Sequence, residues 1–249
     1  MIQSKTVCIC IPARYDSVRF PGKPLAMIGN TPMVIRVAKN MQASQIADEV
    51  VILTDHNEIM TVANDYGVHC VMTDINHQSG TERIIEYQQN NNYDIYINVQ
   101  GDEPFIKATE VDHFIKEAFY KKAELATIIS KVTTSEELFD YNIVKCVKNS
   151  QNISMYFSRQ AIPANRDLPY RDWLSTGDYF KHIGLYFYTR SALNKIAGIG
   201  CSILDKRENL EQLKWLENGL NIYCIIDNID NFSVDTPSDL EKINKFSIN

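Results

Sequence analysis

The sequence predicts an α/β fold in which a mixed, mostly parallel sheet is flanked by helices. Short apolar runs without a polar face, such as residues 6–11 and 49–54, are typical of strands that are buried on both sides. These runs alternate with amphipathic segments through the first half of the chain. A strand–helix–strand order predicts right-handed crossovers between parallel strands.

In the first half of the chain the pattern predicts strands and helices in turn. The first helix is expected to be capped at Asn30-Thr31 and to begin with Pro32, because proline is favoured at the first helical position. Gly67 is expected to end the second helix. The predicted strands cover 6–11, 49–54, 68–72, 94–99 and 125–132, and the predicted helices cover 33–41, 58–66, the segment after Thr81, and 108–122.

Beyond residue 140 this regular order is lost. Residues 144–148 alternate as a half-exposed strand does, and residues 160–179 form a long irregular stretch of the kind that usually serves a functional site or an interface. The remaining predicted elements are a strand over 181–189, a helix over 207–218, a strand over 221–226 and a helix that begins at Pro237 after the N-cap Thr236.

Composition excludes several classes of protein. The chain has 249 residues and a net charge of −6, which argues against a nucleic-acid partner. No run approaches the ~20 apolar residues of a membrane span, and the first residues lack the apolar core of a signal peptide, so we expect a cytoplasmic protein without membrane contact. The six cysteines have no metal-ligand spacing and are expected to be buried thiols in a reducing compartment.

A rigid basic loop is predicted over residues 11–25, directly after the first strand. Three prolines and one glycine fix its backbone, and it carries Arg14, Arg19 and Lys23. Open α/β sheets bind ligands beyond the carboxyl ends of their strands, so the loop is predicted to bind a polyanion such as a nucleoside triphosphate. A solvated basic loop is the alternative, and Arg19 could equally be an ion-pair partner that holds the loop in shape.

Two later turns offer further ligand groups. Small residues at 79–81 precede a helix, whose N-terminus favours negative charge, although an ordinary helix start capped by Thr81 explains them equally well. Asp102 follows a buried strand between Gly101 and Glu103-Pro104, an arrangement suited to holding Mg²⁺ against phosphates. A turn aspartate is the alternative for Asp102, and Glu103 could be the ligand instead.

Two other features stay open at this level. Asp235 has no structural role in the cap formed by Thr236, so it is the second candidate metal ligand. His182 and Tyr186 share one face of a predicted strand and are interpreted as the wall of a small-molecule pocket, the alternative being an exposed sheet face. The sequence leaves undecided whether Asp55 and Arg83 are site or structural residues.

Five motifs in a fixed order give the chain a resemblance to a known family. They are Pro12-Ala13-Arg14-Tyr15, Arg19-Phe20-Pro21-Gly22-Lys23-Pro24-Leu25, His77-Gln78-Ser79-Gly80-Thr81-Glu82-Arg83, Asn98-Val99-Gln100-Gly101-Asp102-Glu103-Pro104 and Val234-Asp235-Thr236-Pro237. The chain resembles the 3-deoxy-manno-octulosonate (Kdo) cytidylyltransferases from about residue 7 to residue 246. The resemblance implies a Rossmann-like nucleotidyltransferase fold, a homodimer, and Mg²⁺-dependent transfer of CMP from CTP to Kdo for lipopolysaccharide biosynthesis.

The resemblance also implies roles for individual residues. Catalytic groups would be Arg14, Lys23, Asp102 and Asp235, of which the two aspartates would bind Mg²⁺. Nucleotide contacts would come from Ala13, Arg14, Arg19, Lys23, Ser79, Gly80, Thr81 and Gln100, and sugar contacts from Gln100, Arg159, His182, Tyr186, Glu211 and Gln212. Residues 1–249 would form one domain, with a CTP and Mg²⁺ core at about 1–135 and 220–249 and a sugar-acid and dimerisation part at about 140–219.

Two departures from the family pattern concern the sugar rather than the reaction. The chain has Gly198-Ile199-Gly200 where the family usually carries a proline-rich segment, and Ala164-Asn165-Arg166 after Ile162-Pro163. They leave open an amino-substituted Kdo analogue as the acceptor. A non-catalytic nucleotide-binding protein of the same fold is the alternative from another class, and the presence of both Asp102 and Asp235 argues against it.

Overall fold

The structure is a computed structural model that describes residues 2, 4–16, 20–200, 202–229, 233–234 and 236–246. The strands are β1 (Val7–Ala13), β2 (Met27–Ile28), β3 (Thr31–Pro32), β4 (Glu49–Thr54), β5 (Cys70–Met72), β6 (Ile95–Asn98), β7 (Leu125–Lys131), β8 (Lys145–Lys148), β9 (Ser154–Ser158), β10 (Phe180–Thr189) and β11 (Tyr223–Ile226). The α-helices are α1 (Met33–Met41), α2 (Asn57–Asp65), α3 (Gly80–Asn90), α4 (Ala108–Tyr120), α5 (Ser135–Phe139), α6 (Arg190–Ala197), α7 (Ile203–Glu208), α8 (Gln212–Glu217) and α9 (Pro237–Phe246).

The chain folds into two compact units. The first unit comprises 1–116, 187–190 and 230–249, and the second comprises 117–186 and 191–229. These boundaries cut across β10, whose first seven residues belong to the second unit and whose last three belong to the first. The functional division expected from the sequence, into a nucleotide core and a sugar-acid part, stays a prediction.

The first unit contains the parallel strands β1, β4, β5 and β6. Strand β1 lies between β4 and β6 and pairs with both in parallel, and β5 continues the sheet beyond β4. Residues 7–11 of β1 have no exposed surface, as expected of a central strand covered on both faces. The carboxyl ends of these parallel strands therefore meet at one edge of the sheet, where β1 ends at Ala13 and β6 ends at Asn98.

The second unit adds antiparallel pairing. Strand β11 pairs in parallel with β7, whereas β8 pairs antiparallel with both β9 and β10. Trp215 and Phe157 are fully buried in this unit, and a smaller apolar cluster forms around Trp173 and Tyr179. The combination of the two units gives the predicted α/β fold with a mixed, mostly parallel sheet, so that prediction is confirmed.

The expected start of the first helix is wrong by one residue. Pro32 has φ −57° and ψ 140° and occupies the cap position before α1, and no side chain caps this helix. Thr31 and Pro32 instead pair with Met27 and Ile28 as a two-residue β ladder. Extended backbone suits the residue that precedes a helix, and the proline there has no N–H that would need a partner.

The single helix predicted over 207–218 is also wrong. The structure has α7 up to Glu208 and a separate α8 from Gln212, because Asn209 adopts a left-handed conformation with φ 52°. Asparagine tolerates that conformation better than most residues, so it can end a helix where the apolar pattern continues. Ser202 is the N-cap of α7, and its hydroxyl accepts a hydrogen bond from the Asp205 N–H.

The half-exposed strand predicted over 144–148 is corrected at Lys145. Its side chain is completely buried, and its ammonium group donates to the carbonyl oxygens of Asp140 at 2.7 Å and Ile143 at 2.5 Å. Burial lowers the pKa of Lys145. The alternation of residue types gave no indication that backbone carbonyls would receive this lysine.

The cysteine and membrane expectations can be compared with the described residues. Cys8, Cys10, Cys70, Cys146 and Cys224 are all buried free thiols, which confirms the expected role for these five; Cys201 lies outside the described residues. Within the described part of the chain, no helix has both the length and the apolar character that crossing a membrane requires.

Candidate active site

A cleft of about 310 Å³ opens in the first unit at the carboxyl ends of the parallel strands. Seven of the residues predicted to bind nucleotide, metal or sugar line it, and they come from three separate segments: Ala13, Arg14, Lys23, Ser79, Gly80, Gln100 and Asp102. Its volume is within the range of small-molecule sites. Arg19 and Asp235, which were also predicted, lie outside the described residues.

The cleft contains more positive than negative charge. Arg14, Lys23 and Arg83 line it together with one carboxylate, that of Asp102. Arg14 is exposed, and its guanidinium has no hydrogen bond or ion pair to any described residue. In a chain of net charge −6 this local excess of cations favours a polyanionic ligand.

Lys23 and Asp102 form an ion pair across the cleft. The lysine Nζ lies 2.5 Å from the aspartate Oδ2, and the two side chains are 14% and 27% exposed. Lys23 starts a short 3₁₀ helix after Gly22, which has φ 69° and therefore favours glycine. The Gly22 N–H donates to the Tyr15 carbonyl at 3.0 Å, so the basic loop closes on itself and brings Lys23 back to the sheet edge.

Two glycines allow three segments to approach one another closely. A Cβ atom on Gly80 would lie 3.0 Å from Pro12 Cγ, and one on Gly101 would lie 3.0 Å from the Pro12 carbonyl oxygen. Pro12 therefore packs between the start of α3 and the loop after β6. This close packing places all three predicted motifs on the same cleft.

The start of α3 bears on the two alternatives for residues 79–81, a ligand-binding turn and an ordinary helix start capped by Thr81. Ser79 is the N-cap, since its hydroxyl accepts from the Glu82 N–H at 3.3 Å, and Glu82 in return accepts from the Gln78 N–H at 2.7 Å. The expected cap Thr81 is wrong. Thr81 is buried and bonds the Tyr188 hydroxyl at 3.0 Å, and it is not among the residues that line the cleft.

The structure gives Asp55 and Arg83 a structural role. They form a buried ion pair with 2.5 Å between Arg83 Nη2 and Asp55 Oδ2, and Arg83 lines the cleft while Asp55 does not. A role of Arg83 in ligand binding stays a prediction.

Several lining residues were not assigned a role from the sequence. They are Pro12, Pro24, Met33, His77, Gln78, Arg83 and Gly101. His77 is held by Glu86, with 2.6 Å between His77 Nε2 and the Glu86 carboxylate. Most of these residues lie inside the motifs that carried the resemblance, so their position in those motifs was the available signal; Met33 lies outside them.

In the second unit, the predicted sugar ligand Arg159 is engaged with backbone. Its Nε donates to the Glu208 carbonyl at 2.7 Å, and its two Nη atoms donate to the carbonyls of Tyr141 and Asn209, each at 3.2 Å. Two of these carbonyls end helix α7, where a cation is favourable. The guanidinium thus stabilises the end of α7.

His182 and Tyr186 belong to an aromatic cluster of the second unit. The His182 ring lies 5.3 Å from Tyr186 and 5.1 Å from Phe157, and Tyr186 packs edge-on against Trp215. His182 Nε2 is 2.9 Å from Thr127 Oγ1, a hydroxyl that donates to the Leu185 carbonyl, so the imidazole is the donor to it. Desolvation lowers the pKa of His182 to about 3, and the ring is neutral at pH 7.

Glu211 and Gln212 lie at the start of α8. Glu211 occupies the cap position, and Gln212 is the first helical residue. The Gln212 side chain is 3% exposed, and its buried Nε2 has no hydrogen-bond partner among the described residues. An unsatisfied buried amide is costly, so this N–H is a group that a ligand could satisfy.

Comparison with known proteins identifies the family. A model of the cytidylyltransferase family matches residues 8–222. The chain belongs to the cytidylyltransferase family. It is 40% identical over 246 residues to the 3-deoxy-manno-octulosonate cytidylyltransferase of Parabacteroides distasonis, covering 96% of this chain and 97% of that protein. It is 38% identical over 248 residues to the enzyme of the same name from Thermodesulfovibrio yellowstonii, with coverages of 96% and 97%.

A solved structure supports the same assignment. The chain matches CMP:2-keto-3-deoxy-manno-octonic acid synthetase complexed with CTP with a TM-score of 0.89 and 33% identity, covering 98% of each chain. The resemblance drawn from the five motifs and the expectation of a nucleotidyltransferase are thereby confirmed. The individual site residues stay predictions.

Proposed function

We propose that this cytidylyltransferase transfers CMP from CTP to the anomeric hydroxyl of Kdo and releases pyrophosphate. The observation that carries the proposal is the cleft of the first unit, where Arg14 and the Lys23–Asp102 pair lie together beyond the parallel strands. Relatives that share 38–40% of the sequence over almost the whole chain are named for this sugar acid.

The residues of the cleft fit a magnesium ion. Asp102 presents a partly exposed carboxylate whose Oδ2 accepts from Lys23, and no hydrogen bond to its Oδ1 is recorded among the described residues. Mg²⁺ at a phosphate site needs only one or two carboxylates, since waters and phosphate oxygens complete its shell.

We propose Asp102 and Asp235 as the residues that would hold Mg²⁺. When bound, the ion supplies positive charge at the α-phosphate and lowers the pKa of the attacking hydroxyl. Val234, the residue before Asp235, donates its N–H to the Asp102 carbonyl at 3.0 Å. This hydrogen bond supports the proposal that the two aspartates share one metal site.

The protein side chains position the triphosphate and neutralise the leaving group. The anomeric hydroxyl attacks the α-phosphorus, the bond to the bridging oxygen breaks, and pyrophosphate leaves in line with the incoming oxygen. Arg14 and Lys23 would bind the departing phosphates, with Arg19 as a third candidate. Such a reaction depends on positioning and charge stabilisation and requires no side-chain nucleophile.

The contacts to the nucleotide that involve no charged group would come from uncharged residues of the cleft. Ala13, Ser79, Gly80 and Gln100 line it, so they remain the proposed contacts to nucleotide or sugar. Thr81, at the start of α3, is proposed to act indirectly, through its buried hydrogen bond to the Tyr188 hydroxyl.

The sugar acid would be recognised by residues of the second unit. Arg159 would clamp the carboxylate, which requires its two Nη atoms to leave the Tyr141 and Asn209 carbonyls while the shorter Nε bond to Glu208 persists. Gln212 offers an unsatisfied buried N–H, and His182, Tyr186 and Glu211 would complete the pocket. His182 would act as a neutral hydrogen-bonding group, because its pKa is about 3.

The expected homodimer and cytoplasmic location also belong to this proposal. Exposed apolar side chains in the second unit, including Met155, Tyr170 and Ile203, offer area for an interface between copies. Light scattering after size-exclusion chromatography measures the mass directly. The free thiols of the five described cysteines agree with a reducing compartment.

The experiment that tests the function is pyrophosphate release from CTP across a panel of 2-keto-3-deoxy acids, with and without Mg²⁺. We expect release with Kdo, loss of release on chelation of the metal, and no release when CTP is replaced by UTP. Release with an 8-amino Kdo analogue but not with Kdo would assign the alternative acceptor. No release with any acid, despite CTP binding, would favour the non-catalytic nucleotide-binding protein.

A further inference from the structure

Asp55 lies at a junction of four segments beside the nucleotide cleft. Its Oδ2 accepts from Arg83 Nη2 at 2.5 Å and its Oδ1 accepts from the Tyr15 N–H at 3.2 Å. The side chains of Asp55 and Arg83 are only 6% and 2% exposed. One buried carboxylate therefore connects the end of β4, the helix α3 and the basic loop after β1.

Arg83 extends this junction to the end of β5. Its Nη1 donates to Thr73 Oγ1 at 2.7 Å and to the Asp74 carbonyl at 3.1 Å. A planar guanidinium suits such a fixed fork of bonds, and its burial is tolerable because Asp55 balances the charge. The cation is thus fixed in place before any ligand arrives.

Thr54, the residue before Asp55, also holds the basic loop, and it does so at Ala13. Its hydroxyl donates to the Ala13 carbonyl at 2.8 Å, in a fully buried contact. The Tyr15 ring also stacks on His56 with 3.7 Å between centroids and 14° between planes. Residues 54–56 therefore bind Ala13 and Tyr15 on the two sides of Arg14.

Arg14 itself is different. Its backbone is held on both sides, whereas its guanidinium is exposed at the cleft without a partner among the described residues. A fixed backbone under an available cation lowers the ordering cost of binding an anion.

We propose that Asp55 is a positioning residue for nucleotide binding: with Arg83 it clamps the backbone on the far side of Arg14 and presents that arginine to the triphosphate. This rests on the proposed use of CTP. Asp55 does not line the cleft, and among the described residues its carboxylate is hydrogen-bonded to Arg83 and to the Tyr15 N–H, so its effect on the nucleotide is indirect.

The test replaces Asp55 and compares it with a similar carboxylate remote from the cleft. Asp94 also joins a cation to the backbone next to β1, since it pairs with Lys5 at 2.7 Å and accepts from the Thr6 N–H at 2.9 Å. Asp55→Asn and Asp94→Asn therefore remove the same charge from carboxylates that join a cation to the backbone at opposite ends of one strand, although the Asp94 side chain is 37% exposed and that of Asp55 only 6%. CTP affinity is measured by calorimetry with Mg²⁺, KM and kcat by pyrophosphate release, and the loop by hydrogen exchange of the Tyr15 amide.

We expect Asp55→Asn to raise the Kd and KM for CTP about tenfold and kcat to change much less, because the loss is one of preorganisation. Exchange of the Tyr15 amide should accelerate in parallel. Asp94→Asn should leave the Kd and KM for CTP and the exchange rate of the Tyr15 amide unchanged. Arg83→Lys, which keeps the charge but not the fork, should show a smaller rise in KM and serves as the main variant if Asp55→Asn does not fold.

A folded Asp55→Asn protein with the wild-type Kd for CTP and an unchanged exchange rate of the Tyr15 amide would overturn the proposal. An equal loss of CTP affinity in Asp94→Asn would also overturn it. Failure of the proposed function has a different signature. In that case the wild-type protein binds CTP and releases no pyrophosphate, and the binding and exchange measurements still decide whether Asp55 positions the loop.

Discussion

The predicted ligand residues of the two units differ in how their polar groups are used. In the first unit they gather around one cleft, and the Arg14 guanidinium has no partner among the described residues while its neighbours are tied down by Thr54 and Asp55. In the second unit Arg159 is bound to three backbone carbonyls, and the His182 ring packs against the rings of Phe157 and Tyr186.

This difference indicates two modes of binding. The first unit is organised for a polyanion before the ligand arrives, so binding there requires little rearrangement. Under the proposed function, the second unit would exchange internal hydrogen bonds of Arg159 for bonds to the sugar acid, so its specificity would depend on the competition between the two. Substitution of an exposed ligand group of the first unit, such as Arg14, should therefore affect activity alone, whereas substitution of Arg159 in the second unit should affect activity and stability together.

The largest effect is expected for Asp102→Asn. If Asp102 holds Mg²⁺ as proposed, loss of its carboxylate removes several kcal/mol of charge stabilisation, so kcat should fall at least about 100-fold. Because the Lys23–Asp102 pair is partly exposed, the free energy of unfolding should change by less than about 1 kcal/mol. Pyrophosphate release and urea unfolding measure the two quantities.

The matched control for Asp102→Asn is Asp65→Asn, which removes the same charge from the exposed end of α2 in the same unit. Both of its measured values should stay at the wild-type level. Normal turnover in Asp102→Asn would refute the metal assignment, and a fall of several kcal/mol in stability would show that Asp102 is mainly structural.

The next largest effects on activity are expected for two arginines, one from each unit. Arg14→Gln should lower kcat/KM for CTP about 10-fold to 100-fold through loss of a charge-assisted bond, with no change in stability. Arg159→Gln should raise KM for the sugar acid and also reduce the free energy of unfolding by about 1–3 kcal/mol, because three carbonyls lose their donor. Equal stability of the two variants would contradict the proposed difference between the units.

Much of the first unit could be predicted from local pattern. Continuous apolar runs identified β1, β4 and β6, and proline and glycine marked the loop that bears Arg14 and Lys23. Strand order then placed the motif residues at one edge of the sheet, where the cleft lies. These inferences succeed because each depends on a residue's immediate neighbours in sequence.

The features that the sequence did not reveal depend on tertiary pairing of side chains or on backbone conformation, neither of which the pattern of residue types reports. Asp55 and Arg83 are 28 residues apart in sequence, and only the folded sheet brings their side chains together. Lys145 is buried because two carbonyls of a preceding turn receive its ammonium group. The helix break at Asn209 likewise comes from a backbone conformation that the apolar periodicity does not register.

A smaller effect is expected from Gly101→Ala. The added Cβ would lie 3.0 Å from the Pro12 carbonyl oxygen, a backbone atom that can move only with β1, so stability should fall by about 1–3 kcal/mol and KM for CTP should rise. Gly177→Ala is the control, since its Cβ would meet no atom within 4 Å. Similar unfolding free energies for the two variants would show that Pro12 is not confined by Gly101.

The smallest effect concerns the acid stability contributed by His182. In the folded protein its pKa is about 3, whereas a histidine of the unfolded chain takes up its proton near pH 6.5. Between these values the unfolded state binds more protons, so stability falls as the pH is lowered, while above pH 6.5 the contribution is complete. From pH 7 to pH 5 this amounts to at most about 2 kcal/mol.

His182→Gln, which does not titrate, should lose less stability over the same interval than the wild-type protein does, as measured by urea unfolding at both pH values. The comparison isolates His182 because the other histidines are unchanged. An identical pH dependence in the two proteins would mean that His182 is protonated in the folded state by pH 5. The aromatic enclosure of the second unit would then be open to water, and the contrast with the exposed groups of the first unit would be lost at this residue.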